Sequence, residues 1–223
     1  MQILALDTTT QHCSVALLTQ KGKFSYCEHC AREHTQYLLP FIHDILQKCK
    51  VSLHEIDLLA FARGPGSFSG VRICLATAQG LALGANIPLT GISTLKIMAE
   101  TAWRHHGAKK VLVANDAHMG DIYWAEYQRK NDGNWSGEDT ESLLKPAEII
   151  KRMTFLRGKW FCVGTGWKLY PQLTHISNID LMVTIIKAPH AVDMIPLVQN
   201  NLSLESIYLP RNAKPYYLRH KVC

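Results

Sequence analysis

Three groups of residues in this chain have the types and spacing to do chemistry. The first is Gly64-Pro65-Gly66-Ser67-Phe68-Ser69-Gly70, which follows the apolar run Leu58-Leu59-Ala60-Phe61 and opens a helix. A glycine-rich turn between strand and helix is a ready cradle for phosphate, because backbone N–H groups there point at the anion. The details argue against a nucleotide. The third glycine of a G-x-G-x-x-G pattern arrives one residue late, at Gly70, and no Asp or Glu between Leu58 and Ala99 could hold a ribose. A Walker loop would end in Gly-Lys-Ser/Thr, whereas Gly70 precedes Val71-Arg72. The second group is Asp7 and Asp116, each at the end of an apolar strand pattern. Asp7 precedes Thr8, Thr9 and Thr10, an arrangement able to hold magnesium and phosphate with Thr9 beside it. Such loops use a glycine for close backbone approach, and "DTTT" has none. The competing reading is that Asp7 caps its own turn. The third group, Cys27-Glu28-His29-Cys30 with His34, is at most half of a tetrahedral metal site, so ordinary thiols and no metal are expected.

The elements that must position these residues follow from hydrophobic period. Ile3–Leu6, Cys13–Leu18 and Phe24–Glu28 read as strands joined by short connections, hence antiparallel neighbours. Leu38, Phe41, Ile42, Ile45 and Leu46 recur at helical spacing, with Thr35 as a candidate N-cap and Pro40 predicting a late start or a bend. A strand over 58–62, a helix over about 69–83 and a strand over 87–91 complete a βββαβα order. The second half repeats the plan. "VLVANDAHMGDIYWAEY" (111–127) echoes "ILALDTTTQHCSVALL" (3–18), and Gly164-Thr165-Gly166 echoes Gly64-Pro65-Gly66. Repetition of so long a unit predicts two similar lobes, 1–104 and 105–223.

The helix after the glycine loop has a peculiar composition. Gly70, Cys74, Ala78 and Ala82 form one row of small residues, and Ala76, Gly80 and Gly84 a second. Such rows let a neighbouring helix approach closely, and Gly80 within a helix implies tight packing against something. Pattern alone leaves open whether that is the lobe's own core or a second polypeptide.

Across 223 residues the chain carries a formal charge of +6, with 47% hydrophobic and 19% charged residues. That excludes disorder and permits, without requiring, contact with polyanions. The start MQILALD lacks a signal peptide's basic opening, and no apolar run is read as approaching the roughly 18 residues of a membrane helix. Seven scattered cysteines suggest reduced thiols, so a cytoplasmic setting is expected.

The stretches "ILALDTTTQHCSVALL", "HTQYLLPFI", "GPGSFSGVRICLATAQGLALGANIPLTGISTL", "DAHMGDIYWAEY" and the terminal "YLR" resemble the TsaB (YeaZ) family, which takes part in making threonylcarbamoyladenosine on tRNA. The match runs almost without gaps from residue 1 to about 127 and is patchy beyond. His118 departs from it, standing where the family usually has arginine. The resemblance implies a mixed α/β, two-lobed actin/hexokinase-like (ASKHA, ribonuclease-H-like) fold built from duplicated units. It also implies a non-catalytic role. The related catalytic subunit, TsaD, carries a metal-binding His-x-x-x-His whose positions fall on about Thr94 and Met98, poor substitutes for imidazoles. No cofactor is then expected on this chain alone, ATP and metal belonging to partner subunits.

The resemblance further implies docking to TsaD through two helices, about 35–49 and 69–83, recruitment of the ATPase TsaE, and indirect access to tRNA through that complex. Leu38, Phe41, Ile45, Ile73, Cys74, Thr77, Gly80 and Leu81 are the expected interface or near-interface positions. An interface of the usual ~1,600 Å² is expected there, and a homodimer when the chain is alone. Two other readings compete: an actin-like phosphotransferase or ATPase using Asp7 and Asp116, and direct tRNA binding by the basic tail, Arg211, Lys214, Arg219 and Lys221.

Overall fold

The computed structural model describes residues 1–200 and 207–219. It divides into two units, 1–97 with 189–216 and 98–188 with 217–223. The contiguous split at 104 expected from the sequence is therefore corrected in two ways. The division falls inside a helix, and the chain returns to its first unit near its end.

In the first unit, β1 (Ile3–Asp7), β2 (His12–Thr19) and β3 (Gly22–His29) form an antiparallel run. Next, β4 (Leu58–Gly64) and β5 (Leu89–Ser93) join in parallel, giving the order β3-β2-β1-β4-β5. β1 and β4 are buried on both faces, which is why they read as continuous apolar runs rather than alternating ones. Helix α1 (His34–Cys49) packs over β2 and β3, and α2 (Phe68–Ala85) over β4. The later segment is tied in by backbone and side chain. Ala191 N–H donates to Ser14 Oγ at 3.0 Å, Tyr208 bridges Leu89, and Tyr216 N–H donates to the Arg63 carbonyl at 2.7 Å.

Helix α1 begins earlier than the sequence suggested. Its N-cap is Glu33, without a side-chain cap bond, and Thr35 lies inside the first turn. Pro40 sits in the seventh helical position without ending the helix, because Leu38, Ile42 and Ile45 hold the whole length on the sheet.

Helix α3 (Thr94–His106) leads into the second unit, where β6 (Lys110–Asp116) and β7 (Ile122–Arg129) form a hairpin. With β8 (Trp135–Ser136), β9 (Ser142–Leu144), β10 (Lys159–Val163) and β11 (Asp180–Val183), they make a six-stranded sheet, order β11-β10-β6-β7-β8 with β9 also on β7. Three short helices follow along the chain, α4 (Pro146–Met153), α5 (Gly166–Leu169) and α6 (Met194–Asn200), of which α6 belongs to the first unit. The second core gathers Leu112, Trp124, Met153, Trp160 and Trp167. Beside it the carboxylate of Glu100 is buried. It accepts from Arg129, which is pressed against it, and from Trp135 Nε1 at 2.6 Å.

One helix, α2, reaches the length and apolar composition of a membrane span, contrary to the expectation that no run does. Its buried stripe of Gly70, Val71, Cys74, Leu75, Ala78 and Ala82 is already occupied by its own sheet.

Candidate functional site

The glycine loop is filled by the protein's own backbone. A Cβ at Gly66 would overlap the Thr9 carbonyl, and one at Gly70 would overlap the Thr8 carbonyl. Ser67 N–H donates to the Thr9 carbonyl at 2.8 Å, and Thr8 Oγ1 donates to the Gly70 carbonyl at 2.7 Å. Ser67 Oγ in turn accepts from Gly70 N–H as the α2 N-cap. The groups that would hold a phosphate thus bind the β1–β2 turn, and the glycines serve close approach of two backbones. Gly70→Ala should therefore destabilise the chain by about 1–3 kcal/mol or more, since the new methyl would meet backbone that cannot rotate away. Urea denaturation measures this, and an unchanged midpoint would show that the turn can yield.

Asp7 stands under that turn, fully buried. Its Oδ1 accepts from Thr9 N–H at 3.0 Å and Thr9 Oγ1 at 2.6 Å, and Thr94 Oγ1 donates to Thr9 Oγ1 at 3.1 Å. The other oxygen, Oδ2, has no hydrogen-bond partner among the described residues. Burial pushes the carboxyl up to about 6, against the pull of the two Thr9 hydrogen bonds. The chain Thr94–Thr9–Asp7 is a turn-capping network.

Asp116 plays the matching part in the second unit. Its carboxylate accepts from His118 N–H at 3.2 Å and Tyr170 Oη at 3.0 Å, while Gly164 and Gly166 press on the Ala114 carbonyl. His118 has φ +62° in the left-handed region and its Nδ1 lies 3.1 Å from Asp116. Arg219 also holds this turn, donating to the Ala117 carbonyl at 3.0 Å and pairing with Asp121 at 2.8 Å. Of the basic tail, Arg219 is thereby committed to structure, Arg211 and Lys214 are exposed, and Lys221 lies outside the described residues.

The thiols are quiet. Burial pushes Cys13, Cys74 and Cys162 up, so they stay protonated. Among the described residues no three His, Cys, Asp or Glu side chains are arranged to share a metal. His34 Nε2 is taken by the Thr10 carbonyl at 2.7 Å. At the two positions compared with metal-ligating histidines, Thr94 bonds Thr9, and Met98 Sδ accepts from Asn115 Nδ2 at 3.0 Å; both are fully buried.

The expected interface residues separate into two sets. Leu38, Ile45 and Cys74 are at most 1% exposed, and Cys74 Sγ donates to the Leu6 carbonyl at 3.2 Å. These three are corrected to core residues of their own unit, because they face the sheet rather than solvent. Phe41, Ile73, Thr77 and Leu81 are half-buried and Gly80 is exposed. The outer stripe of α2 is Arg72, Ala76, Gly80, Leu83 and Gly84; its small row Ala76–Gly80–Gly84 was legible in the sequence, whereas Arg72 and Leu83 were not among the expected interface positions. Leu83 is 76% exposed, and nothing lies within 4 Å of a Cβ built at Gly80 or Gly84. The tight packing inferred for Gly80 is thus not made among the described residues. The signal that could have revealed the stripe was present, since exposed and buried small rows alternate at helical spacing.

Comparison with known proteins agrees with this architecture. Residues 26–204 match the family described as TsaD, tRNA N6-adenosine threonylcarbamoyltransferase. The Escherichia coli (strain K12) protein named tRNA threonylcarbamoyladenosine biosynthesis protein TsaB is 48% identical over 222 residues, covering 100% of this chain and 96% of that one. Its namesake from Haemophilus influenzae is 37% identical, covering 100% and 95%. The solved structure of YeaZ from Pseudomonas aeruginosa superposes with a TM-score of 0.85 at 34% identity, covering 97% of this chain and 100% of that one. The mixed α/β fold with its repeated glycine loops is accordingly of the actin/hexokinase-like class. The chain belongs to the TsaB (YeaZ) family of tRNA threonylcarbamoyladenosine biosynthesis proteins.

Proposed function

We infer that this chain serves threonylcarbamoyladenosine formation on tRNA as a non-catalytic subunit, docking its outer α2 stripe and the adjoining part of α1 on a TsaD-like catalytic subunit. The observation that carries this reading is the exposed glycine pair. A glycine inside a helix costs about 1 kcal/mol relative to alanine, and Gly80 and Gly84 return nothing to their own unit, with no atom within 4 Å of either Cβ position. A surface that small and apolar, flanked by Ile73, Thr77 and Leu81 and ending at Leu83, suits a second helix lying close against it. The packing of Gly66 and Gly70 against the Thr9 and Thr8 carbonyls, and the burial of Thr94 and Met98, support assigning nucleotide and metal chemistry to partners. A TsaE-like ATPase is the further partner expected, a cytoplasmic setting follows from the substrate, and a homodimer through the same stripe is expected when the chain is alone.

Reconstitution tests the reading. The purified chain with ATP, threonine-derived adenylate and tRNA should form no modified adenosine and hydrolyse no ATP above a blank. Addition of TsaD-like and TsaE-like subunits should produce modification that depends on this chain. Turnover by the chain alone would overturn it.

A further inference from the structure

The second unit carries a feature that the docking stripe does not use. At one end of its sheet, the start of β6, the start of β10, the end of β7 and the end of α3 bring cations together. Lys109 and Lys110 open β6, Arg129 and Lys130 close β7, and Arg157 and Lys159 flank the start of β10. The Arg129 N–H donates to the Lys109 carbonyl at 2.8 Å, and Lys110 Nζ reaches the Arg157 carbonyl at 3.5 Å, so these are spatial neighbours. Arg104, His105 and His106 end α3 beside them, with His106 stacked 5.9 Å from Phe161. Basic residues at a helix C-terminus are accounted for by the helix dipole. That explanation does not extend to Lys109, Lys130 and Lys159, which are exposed and form no ion pair among the described residues. The acids nearby are Asp132, at the β7–β8 turn, bonded to Asn134 and within the field of Lys130 without pairing to it, and Asp180, opposite Lys159 in register. Glu100 neutralises Arg129 alone.

Within this end lies a cavity of about 250 Å³ lined by Trp103, Lys109, Arg129, Lys130, Asn131 and Gly133. The Arg129 guanidinium lies 4.4 Å from the centre of the Trp103 ring and 5.3 Å from that of Trp135, so the wall is a cation–π cluster of flat groups. Small-molecule pockets usually span about 300–1,000 Å³, so this one suits a single projecting unit of a polymer rather than a free cofactor. Lysines for phosphate beside a flat aromatic–guanidinium wall for a base are the elements of single-stranded nucleic-acid recognition.

We propose that this end of the second unit binds RNA, with Lys109, Lys130 and Lys159 on backbone phosphates and an unpaired base against the Trp103–Arg129 wall. The choice of RNA over other polyanions rests on the tRNA-modification reading above; the cation cluster and the cavity stand without it. Arg129 is held by Glu100, and so orients the wall while the lysines supply the charge that releases counterions.

The test uses the full chain and an unmodified tRNA transcript, with fluorescence anisotropy read across a salt series. The wild-type chain should bind with an affinity that falls steeply with salt. The triple variant Lys109→Ala/Lys130→Ala/Lys159→Ala should bind at least tenfold more weakly at low salt. Three phosphate contacts at roughly 0.7–0.9 each should also lower its log–log salt slope by about 2. Trp103→Leu should weaken binding about tenfold with the slope unchanged, which a purely electrostatic patch would not produce. Circular dichroism should show all variants folded. No binding by the wild-type chain, equal binding by the triple variant, or binding of a heparin oligosaccharide as tight as that of tRNA would each overturn the proposal. Pull-down of a TsaD-like subunit by the triple variant separates the two readings. Retained docking with lost RNA binding is the expected result, and lost docking would overturn the assignment of these lysines to RNA.

Discussion

Gly80→Leu is expected to leave the isolated chain folded, with an unchanged or higher melting temperature, while weakening association with a TsaD-like subunit by at least a hundredfold. Both halves follow from geometry. Apart from the helix's own backbone, no atom of the described residues lies within 4 Å of a Cβ at Gly80, so the new side chain meets open space, and leucine is the better helix former by close to 1 kcal/mol. In a close helix–helix contact the same leucine has nowhere to go. Overpacking there costs about 1–3 kcal/mol, and separating the helices forfeits their other contacts, while every 1.4 kcal/mol is tenfold in affinity. Gly80→Ala is the calibrating variant, stabilising the isolated chain and weakening docking less. Titration calorimetry against the partner, alongside thermal melts of the chain alone, measures both. A leucine variant that docks as tightly as the wild type would remove α2 from the interface.

Asp7→Asn is expected to stabilise the chain by about 2.5 kcal/mol more at pH 8 than at pH 4. The folded carboxyl titrates near 6 against an ordinary value of 3.8. Below 3.8 it is protonated in both states and its favourable contribution is fully present. As pH rises through 6 the buried group ionises and that contribution is lost, at about 1.36 kcal/mol for each pH unit that separates the folded from the unfolded value. Asparagine keeps an oxygen to accept from Thr9 N–H and Oγ1, and has no charge to bury. Any penalty from its amide at the unpartnered Oδ2 position is the same at both pH values, so the difference isolates ionisation. Urea denaturation of both proteins at the two pH values provides the measurement. A stability difference independent of pH would mean that Asp7 is ionised at no cost, stabilised by a group that the turn itself does not supply.

Much of the site was legible residue by residue. "DTTT" without a glycine, and a glycine loop without its acid or lysine, argue against a nucleotide from the sequence alone, and in the structure the Thr8 and Thr9 carbonyls of that turn press against the glycine loop. The two small rows on α2 were equally legible. Their assignment was not, because pattern gives spacing but not which side meets the sheet. Cys74 and Gly80 belong to rows of the same character, yet one is sealed against the Leu6 carbonyl and the other faces open space. Leu38 and Ile45 failed for the same reason, since a docking face and a core face are both apolar.

By itself the sequence determined the family, the duplicated plan and the order of elements, because period, turn residues and motif spacing are local properties of the chain. Only the tertiary structure decided where each unit ends, since 189–216 is placed by long-range pairing with residues such as Ser14, Leu89 and Arg63. It also decided that the cations of β6, β7 and β10 share one end of a sheet. Strand pairing brings together residues fifty apart, and no local pattern records it.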